Sequence, residues 1–476
     1  MRLKDSREIN RLPLYSPLII ILIISFIFHT AKPPTGPRVP GMPQPTNELD
    51  TRGKEFIFCF QSNQGNRLPL GLTLLIGAGG PGATNVVILI RAFKFSHEVV
   101  VNQGESTVVE LPPEAAARGN GEQNGTVWIR ANLPISVHGV NKQIRSNEGF
   151  LAIPVAGLGL EYYVISYMAN GQERSQFLVS GVMDFTRVQI QPMVRVNWNG
   201  RWFNPGQTIL LTINRFQSVQ IQSMGDLTGT RIRADKPISL MSGSTCSLVT
   251  EQMNRCDHLV ENIPPVATWG KKFSILPFRN RTTGYIYRVI AARSKTRFNV
   301  LGQVFMLARE GLFREFNQPM ALALSISSNK PVLVVQYAKG GVVDRVGDPF
   351  MTIIPPIEQY VAGSVVFHTC SVSGKDNFTS YASVSVTSWD LFNIYLNNAP
   401  LLIHKYTENQ PKDFTRMVNY AADYWIHLTP GGHTLTSPGP GSRFMAILYG
   451  FAGGTSYAFP AVYGLRRLQC TPKAEG

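Results

Sequence analysis

Acidic residues are scarce in this sequence. Asp and Glu number 30 against 45 Lys and Arg, and the formal net charge is +15 at pH 7. A surface so short of acid favours polyanionic partners over cationic ones. A sustained 3.6-residue apolar rhythm is also missing, which excludes helical bundles and doubly wound α/β folds. No apolar run beyond residue 31 reaches membrane-spanning length, so no membrane span is expected in the mature chain. HExxH, GxSxG, GxxxxGK[ST] and EF-hand patterns are all absent. Enzyme motifs are thus mostly missing, and no cofactor is expected.

What is present begins with the N-terminus. Arg2, Lys4, Arg7 and Arg11 precede an apolar run from Leu18 to Phe28, broken only by Ser25. That length suits a signal peptide over residues 1–31, with a retained signal anchor as the alternative, because His29 is a poor cleavage-site residue. A basic surface outside the cell removes nucleic acid from the partners. Five cysteines fit an oxidising compartment. Cys246 and Cys256 would close a short loop, worth about 2.5 to 3 kcal/mol. The pairing of Cys59, Cys370 and Cys470 stays open, and an odd cysteine allows a disulfide-linked dimer. Asn124, Asn280 and Asn377 each head an Asn-x-Thr glycosylation triplet.

Residues 32–54 are a proline-rich linker, with Pro33, Pro34, Pro37, Pro40, Pro43 and Pro45. From Glu55 onward the pattern is all-β. Short β-branched runs such as Asn85–Arg91, His97–Val101 and Ser106–Leu111 are bounded by turn residues. The stretch Pro113–Arg118 predicts at most a helical turn or two. Ile129–Val137 is echoed by Ile232–Leu240 and Ile326–Val334, each carrying Asn or Asp two residues before Pro134, Pro237 or Pro331. Those prolines lie 103 and 94 residues apart. Each echo predicts a strand, an Asn/Asp-centred turn, then a strand opened by proline. Ile153-Pro154, Ile263-Pro264 and Ile354-Pro355 follow as a second landmark. The simplest organisation is tandem β-sandwich-like units at 55–150, 151–262, 263–352 and 353–465, then a tail at 466–476. A β-propeller-like arrangement, two blades per unit, is the alternative. The last unit lacks the Asn-x-Pro landmark.

Three constellations invite chemistry, and each has a plainer explanation. Gly77–Gly82 satisfies GxGxxG, but Pro81 and a following strand fit a glycine-rich hairpin turn better than a dinucleotide site. Ser327–Lys330 matches SxxK inside the repeated turn. His258 and Glu261 would share one face of a helical turn, yet a metal site needs a third ligand. Capping the loop behind Cys256 is the plainer role.

Two segments read as binding surfaces. Lys271, Lys272, Arg279, Arg281, Arg288, Arg293, Lys295 and Arg297 fall within 28 residues free of acid, interleaved with Phe273, Phe278, Tyr285, Tyr287 and Phe298. Strand alternation would turn the aromatics inward and the cations outward. Asn199-Gly200 is a strong hairpin signal that sets Trp198 opposite Arg201, and leaves Trp198 and Trp202 as candidates for stacking on sugars.

Several strings carry a resemblance: Phe216–Ser223, Asp226–Ile232, Cys256–Glu261, Trp269-Gly270 and Gly347–Met351. They resemble the N-terminal domain of the IgG Fc-binding protein family, and the likeness runs from about Phe56 to Tyr463. The resemblance implies a secreted, mucus-associated adhesion protein without cofactor or catalytic residues. Its partners would be extracellular glycoproteins, anionic glycans or immunoglobulin-like proteins. The family's mammalian member continues into cysteine-rich von Willebrand D-type domains, which these residues do not contain. The rival from another class is a secreted carbohydrate-active enzyme on a repeated β scaffold. It would require paired carboxylates in a groove.

Overall fold

A computed structural model describes residues 49–250, 256–341, 346–371, 378–387, 393–401, 417–418, 421–439 and 441–468. The segment Met1–Met42 lies outside them, and the body is Pro43–Gly476. The signal-peptide stretch, most of the proline-rich linker, Asn377 and Cys470 therefore fall outside the described residues. The elements with described bounds are strands and short 3-10 turns. The helical candidate at Pro113 is such a turn, Pro113–Ala115. The fold is all-β, a tandem series of sandwich-like units.

One seven-strand plan recurs. In the first unit the strands are Gly53–Phe58, Gly71–Ala78, Thr84–Ile90, Phe95–Val101, Ser106–Leu111, Val127–Gln143 and Ser146–Leu151. The sixth, 17 residues long, organises the rest. Its first half pairs with the first and third strands, its second half with the second and seventh. The third strand then takes the fourth, and the second takes the fifth. Side chains from both halves meet in one apolar core, among them Phe56, Leu74, Ile88, Ile129 and Val137. Arg231–Ser247 and Leu324–Ala338 organise the second and third units identically.

The Asn-x-Pro landmark is the bend in this long strand, not the turn expected from sequence. Pairing jumps from Glu55↔Arg130 to Gly53↔Ile135, so residues 131–134 bulge while the chain stays extended. A bulge lets one strand leave one sheet and enter another. The side chain before each proline explains the Asn/Asp choice, because its Oδ1 accepts a neighbouring strand's N–H. Asn132 accepts from Asn85 at 2.9 Å, Asp235 from Arg187 at 2.8 Å, and Asn329 from Arg297 at 2.8 Å. In the fourth unit the long strand is split into Gly432–Ser437 and Phe444–Ala452. The two pieces keep the same partners, which is why the landmark is missing there.

The second landmark joins neighbouring units. Pro154, Pro265 and Pro356 pack over Gly53, Gly159 and Gly270, where a Cβ would come within 2.2, 2.5 and 2.3 Å of the proline ring. Only glycine fits beneath them. The Gly77–Gly82 stretch is likewise not a hairpin. Its flanking strands pair with the two halves of Val127–Gln143 and not with each other.

The seventh strands, Ser146–Leu151, Asp257–Asn262, Met351–Ile354 and Thr455–Val462, each pack against two of the others. Their ladders run to their own units, so the backbone between them needs other acceptors. Buried carboxylates supply these. Glu148 accepts the N–H groups of Gly149 and Ala458 at 3.0 Å and of Met351 at 3.1 Å, and Glu261 accepts that of Ile353 at 2.9 Å. Burial pushes Glu148, Asp257 and Glu261 well above the ordinary carboxylate range, and the adjacent Asp257 and Asp348 charges push further on the first two.

Candidate functional site

The first, third and fourth strands of the third unit, Gly270–Ile275, Thr296–Val300 and Gln303–Leu307, share an exposed face with the start of its long strand. Residues directly opposite in neighbouring strands share a side of the sheet. Lys272 lies opposite Ser327, Ser327 opposite Asn299, and Asn299 opposite Val304. A second row sets Arg297 opposite Met306. Lys271, Lys272, Lys295 and Arg297 are exposed, as are Val304 at 66% and Met306 at 59%. The face is therefore cationic with an apolar margin. Glu358 accepts the backbone N–H groups of Lys271 and Lys272 at 3.1 and 3.3 Å.

Comparing repeats shows what is special here. Two residues after the opening glycine stand Glu55, Glu161 and Lys272, opposite Arg130, Arg233 and Ser327. The first two units begin this row with an acid. Glu55 is bound by Arg215 at 2.7 Å and by the Trp128 indole at 2.8 Å. Glu161 is gripped by Arg231, Arg233 and Arg293. Burial alone would raise its pKa, but Arg231 and Arg293 hold it below the usual value. The third unit puts lysine where its siblings put glutamate.

Two predicted members of the patch are not on it. Arg281 is 2% and Arg288 4% exposed. The Tyr285–Ala291 strand is covered on both faces: Tyr285, Tyr287 and Val289 enter the third unit's core, while Ile286 and Ile290 enter the second unit's. Arg288 points with the latter, to Asp226 at 2.7 Å, Glu315 at 2.8 Å, the Ser166 carbonyl at 2.8 Å and Thr228 at 2.9 Å. Arg281 donates to the carbonyls of Lys339 and Val346. Arg279 and Arg293 are half-buried. The interleaved aromatics Phe273 and Phe298 are buried as alternation predicted, and Phe278 is buried in the loop after Ile275.

The hairpin Val196–Trp198/Arg201–Phe203 has its two-residue turn at Asn199 and Gly200, with φ of 49° and 77°. Trp198 packs on the second unit's core, and Arg201 lies over Phe203 and not over Trp198. Trp202 is 54% exposed with the Arg195 guanidinium 4.4 Å from its ring centroid. Asn124 and Asn280 are exposed, though the Asn280 amide donates to Tyr381 at 2.7 Å. Cys246 and Cys256 form a disulfide, and Cys59 and Cys370 are buried free thiols.

His258 and Glu261 lie on the strand Asp257–Asn262, three residues apart and so on opposite faces, not on a helical turn. Among the described residues no group of three or more His, Cys, Asp or Glu is arranged to hold a metal. A cleft of about 370 Å³ lies beside Arg293, lined by Leu158, Leu160, Pro265, Ala292 and Leu468, with Glu161 as its acid.

A sequence profile of the IgGFc binding protein family matches residues 148–450, more than half of the chain. The chain belongs to this family. The human IgGFc-binding protein is 26% identical over 299 residues, 62% of this chain, and the chain spans 5% of that relative's length. A solved tetra-tandem repeat from the extending region of a large adhesion protein aligns over 87% of this chain and 99% of its own at 10% identity. Its TM-score of 0.11 is too low to carry an argument.

The IgGFc-binding match contains all the strings that carried the resemblance, and most are interior. Asp226 holds Arg288. Cys256–Glu261 is a disulfide end and an inner strand, and Trp269 is buried with its indole on the Pro264 carbonyl at 3.0 Å. These strings mark the scaffold of the family. The exposed cationic face is not among them; the acid-free basic run points to it, and comparison between the chain's own repeats singles out Lys272.

Proposed function

We propose that this chain is a secreted, non-catalytic adhesion protein whose third unit binds anionic extracellular partners, sulfated or sialylated glycans and the glycoproteins that carry them. The observation that carries the reading is the replacement of Glu55 and Glu161 by Lys272 in an otherwise repeated row. Lys271, Lys295 and Arg297 are exposed in the same unit. Secretion rests on the basic N-terminus and the Leu18–Phe28 run, and N-terminal sequencing of exported protein checks cleavage after Ala31. Cys59 and Cys370 are buried, so a disulfide-linked dimer would use Cys470. Non-reducing electrophoresis of a Cys470→Ser variant tests that.

The test of function is binding to immobilised mucin and to a sulfated glycan across a salt series. Affinity should fall steeply with salt, because exposed charges are screened within about 8 Å at 0.15 M. Reversing Lys271, Lys272, Lys295 and Arg297 to glutamate should weaken binding at least about tenfold. Unchanged binding by this variant would sink the proposal. The human relative is named for IgG Fc, so an Fc fragment is the second ligand to run on the same surface. An enzyme reading finds less support. The cleft's acid, Glu161, is tied to three arginines, and Glu148, Asp257 and Glu261 are sealed in the interior.

A further inference from the structure

The fourth strand of the third unit, Gln303–Leu307, ends its sheet and pairs only with Thr296–Val300 among the described residues. The two are joined by a two-residue turn, Leu301-Gly302, with φ of 51° and 85°, and Val300 and Gln303 form the closing pair. In such a hairpin the closing pair is hydrogen-bonded and the bonding alternates from there. Gln303, Phe305 and Leu307 therefore bond inward, while Val304 and Met306 turn their N–H and C=O groups to the open edge. Arg297 agrees with this phase, since its N–H points the opposite way, to Asn329.

Open edges are usually blunted by charge, proline or shortness. The equivalent first-unit strand, Phe95–Val101, carries His97 and Glu98, and the fourth-unit strand, Ala399–Pro400, is two residues ending in proline. Gln303–Leu307 has no charged residue and no proline, and exposes Val304 and Met306 beside the exposed turn residue Leu301. The second-unit strand, Ile209–Ile213, is as apolar, but the row behind it ends on the Glu161–Arg233 pair. Behind Val304 the row ends on Lys272. Cations flank the edge on both sides. Arg297 stands opposite Met306, and from the facing sheet the Arg314 guanidinium lies 4.4 Å from the Phe305 ring centroid. The nearby acids are engaged, Glu310 by Arg231 and Glu315 by Arg288.

We infer that Gln303–Leu307 is a docking edge that takes an extended, acidic segment of another protein as an added strand. Backbone bonds to Val304 and Met306 supply affinity, and Arg297 with Arg314 selects acid. A second copy of this chain is disfavoured as occupant, since two such edges would bring like charges together. The inference rests on the cationic face proposed above, and it adds a peptide ligand to the glycan one.

The probe is a synthetic peptide of alternating glutamate and valine, about eight residues long, measured by interferometry beside the sulfated glycan. Val304→Pro removes one outward N–H and leaves every charge in place; at an edge position facing solvent, proline is compatible with the strand. Peptide affinity should drop about tenfold or more, glycan affinity should hold, and the matched variant Leu210→Pro should change neither. Amide exchange at Val304 and Met306 should be fast in the free protein and slowed at least about tenfold by peptide, a readout on the unmutated chain that does not depend on the variant folding. Peptide binding that survives Val304→Pro, or that leaves both amides unprotected, overturns the docking edge. Glycan binding lost with the four charge reversals but kept with Val304→Pro supports the cationic face independently. Absence of both ligands from the unmutated chain refutes both.

Discussion

Replacing Arg288 by methionine should destabilise the protein by about 3 to 5 kcal/mol, the range for breaking a buried ion pair from one side. The guanidinium is 4% exposed and joins the third unit's Tyr285–Ala291 strand to loops of the second. Its loss strands Asp226, bonded at 2.7 Å, and removes donors from the Ser166 carbonyl and Thr228. It also vacates the space between Tyr167 and Phe313, whose ring centroids lie 4.3 and 4.6 Å from the guanidinium carbon. Guanidinium chloride unfolding followed by tryptophan fluorescence measures the loss as a shift of midpoint at constant slope. Adding Asp226→Asn should return part of the stability, because the orphaned charge goes with it. Arg233→Met is the control. That side chain is 53% exposed and 3.4 Å from Glu161, so its removal should cost no more than about 1 kcal/mol. A loss below about 1 kcal/mol for Arg288→Met, or no rescue by the second change, would refute the claim that this arginine is a structural tie.

Two further outcomes concern the buried titratable groups and the strand bulge. Burial raises Glu148, Asp257 and Glu261 in the folded state, so their stabilising share is complete in acid and lost as pH rises through the raised values. Buried His138 and His258, held down to about 4, act oppositely: their share is present above 6.5 and fades as pH falls towards 4. Unfolding midpoints over a pH series should therefore decline on both sides, and Glu261→Gln should flatten the alkaline limb; an unaltered limb would contradict the assignment. Asn329→Ala should cost about 1 kcal/mol and speed exchange of the Arg297 amide, whereas Asn329→Asp should be nearly neutral, because Asp235 does the same work one unit earlier.

Fold class and repeat were legible because strand alternation and Asn-x-Pro spacing are local signals. The geometry of that landmark was not: a turn and a bulged, continuous strand use the same residues, and only the second sheet partner tells them apart. Arg288 was misplaced for a related reason. Alternation gave its side of the strand correctly, opposite to Tyr287, but a sequence does not say that the second unit covers that side. Lys272 and Arg297 were found from charge alone, while Val304 and Met306 went unnoticed, since exposed apolar residues look like core until a sheet edge is located.

Glu148 sets a constraint on synthesis. Its carboxylate sits in the first unit, yet one N–H that it accepts belongs to Ala458, 310 residues later. Thr51 and Tyr463 are likewise hydrogen-bonded partners at opposite ends of the body. A ribosome adding about 5 to 20 residues per second must therefore hold the first unit for many seconds with the Ala458 bond to that acid unmade. The units resemble beads in sequence, but the nascent chain closes more like a clasp: its earliest part is finished last. Truncations within the fourth unit should then trap folding intermediates, not shorter native proteins.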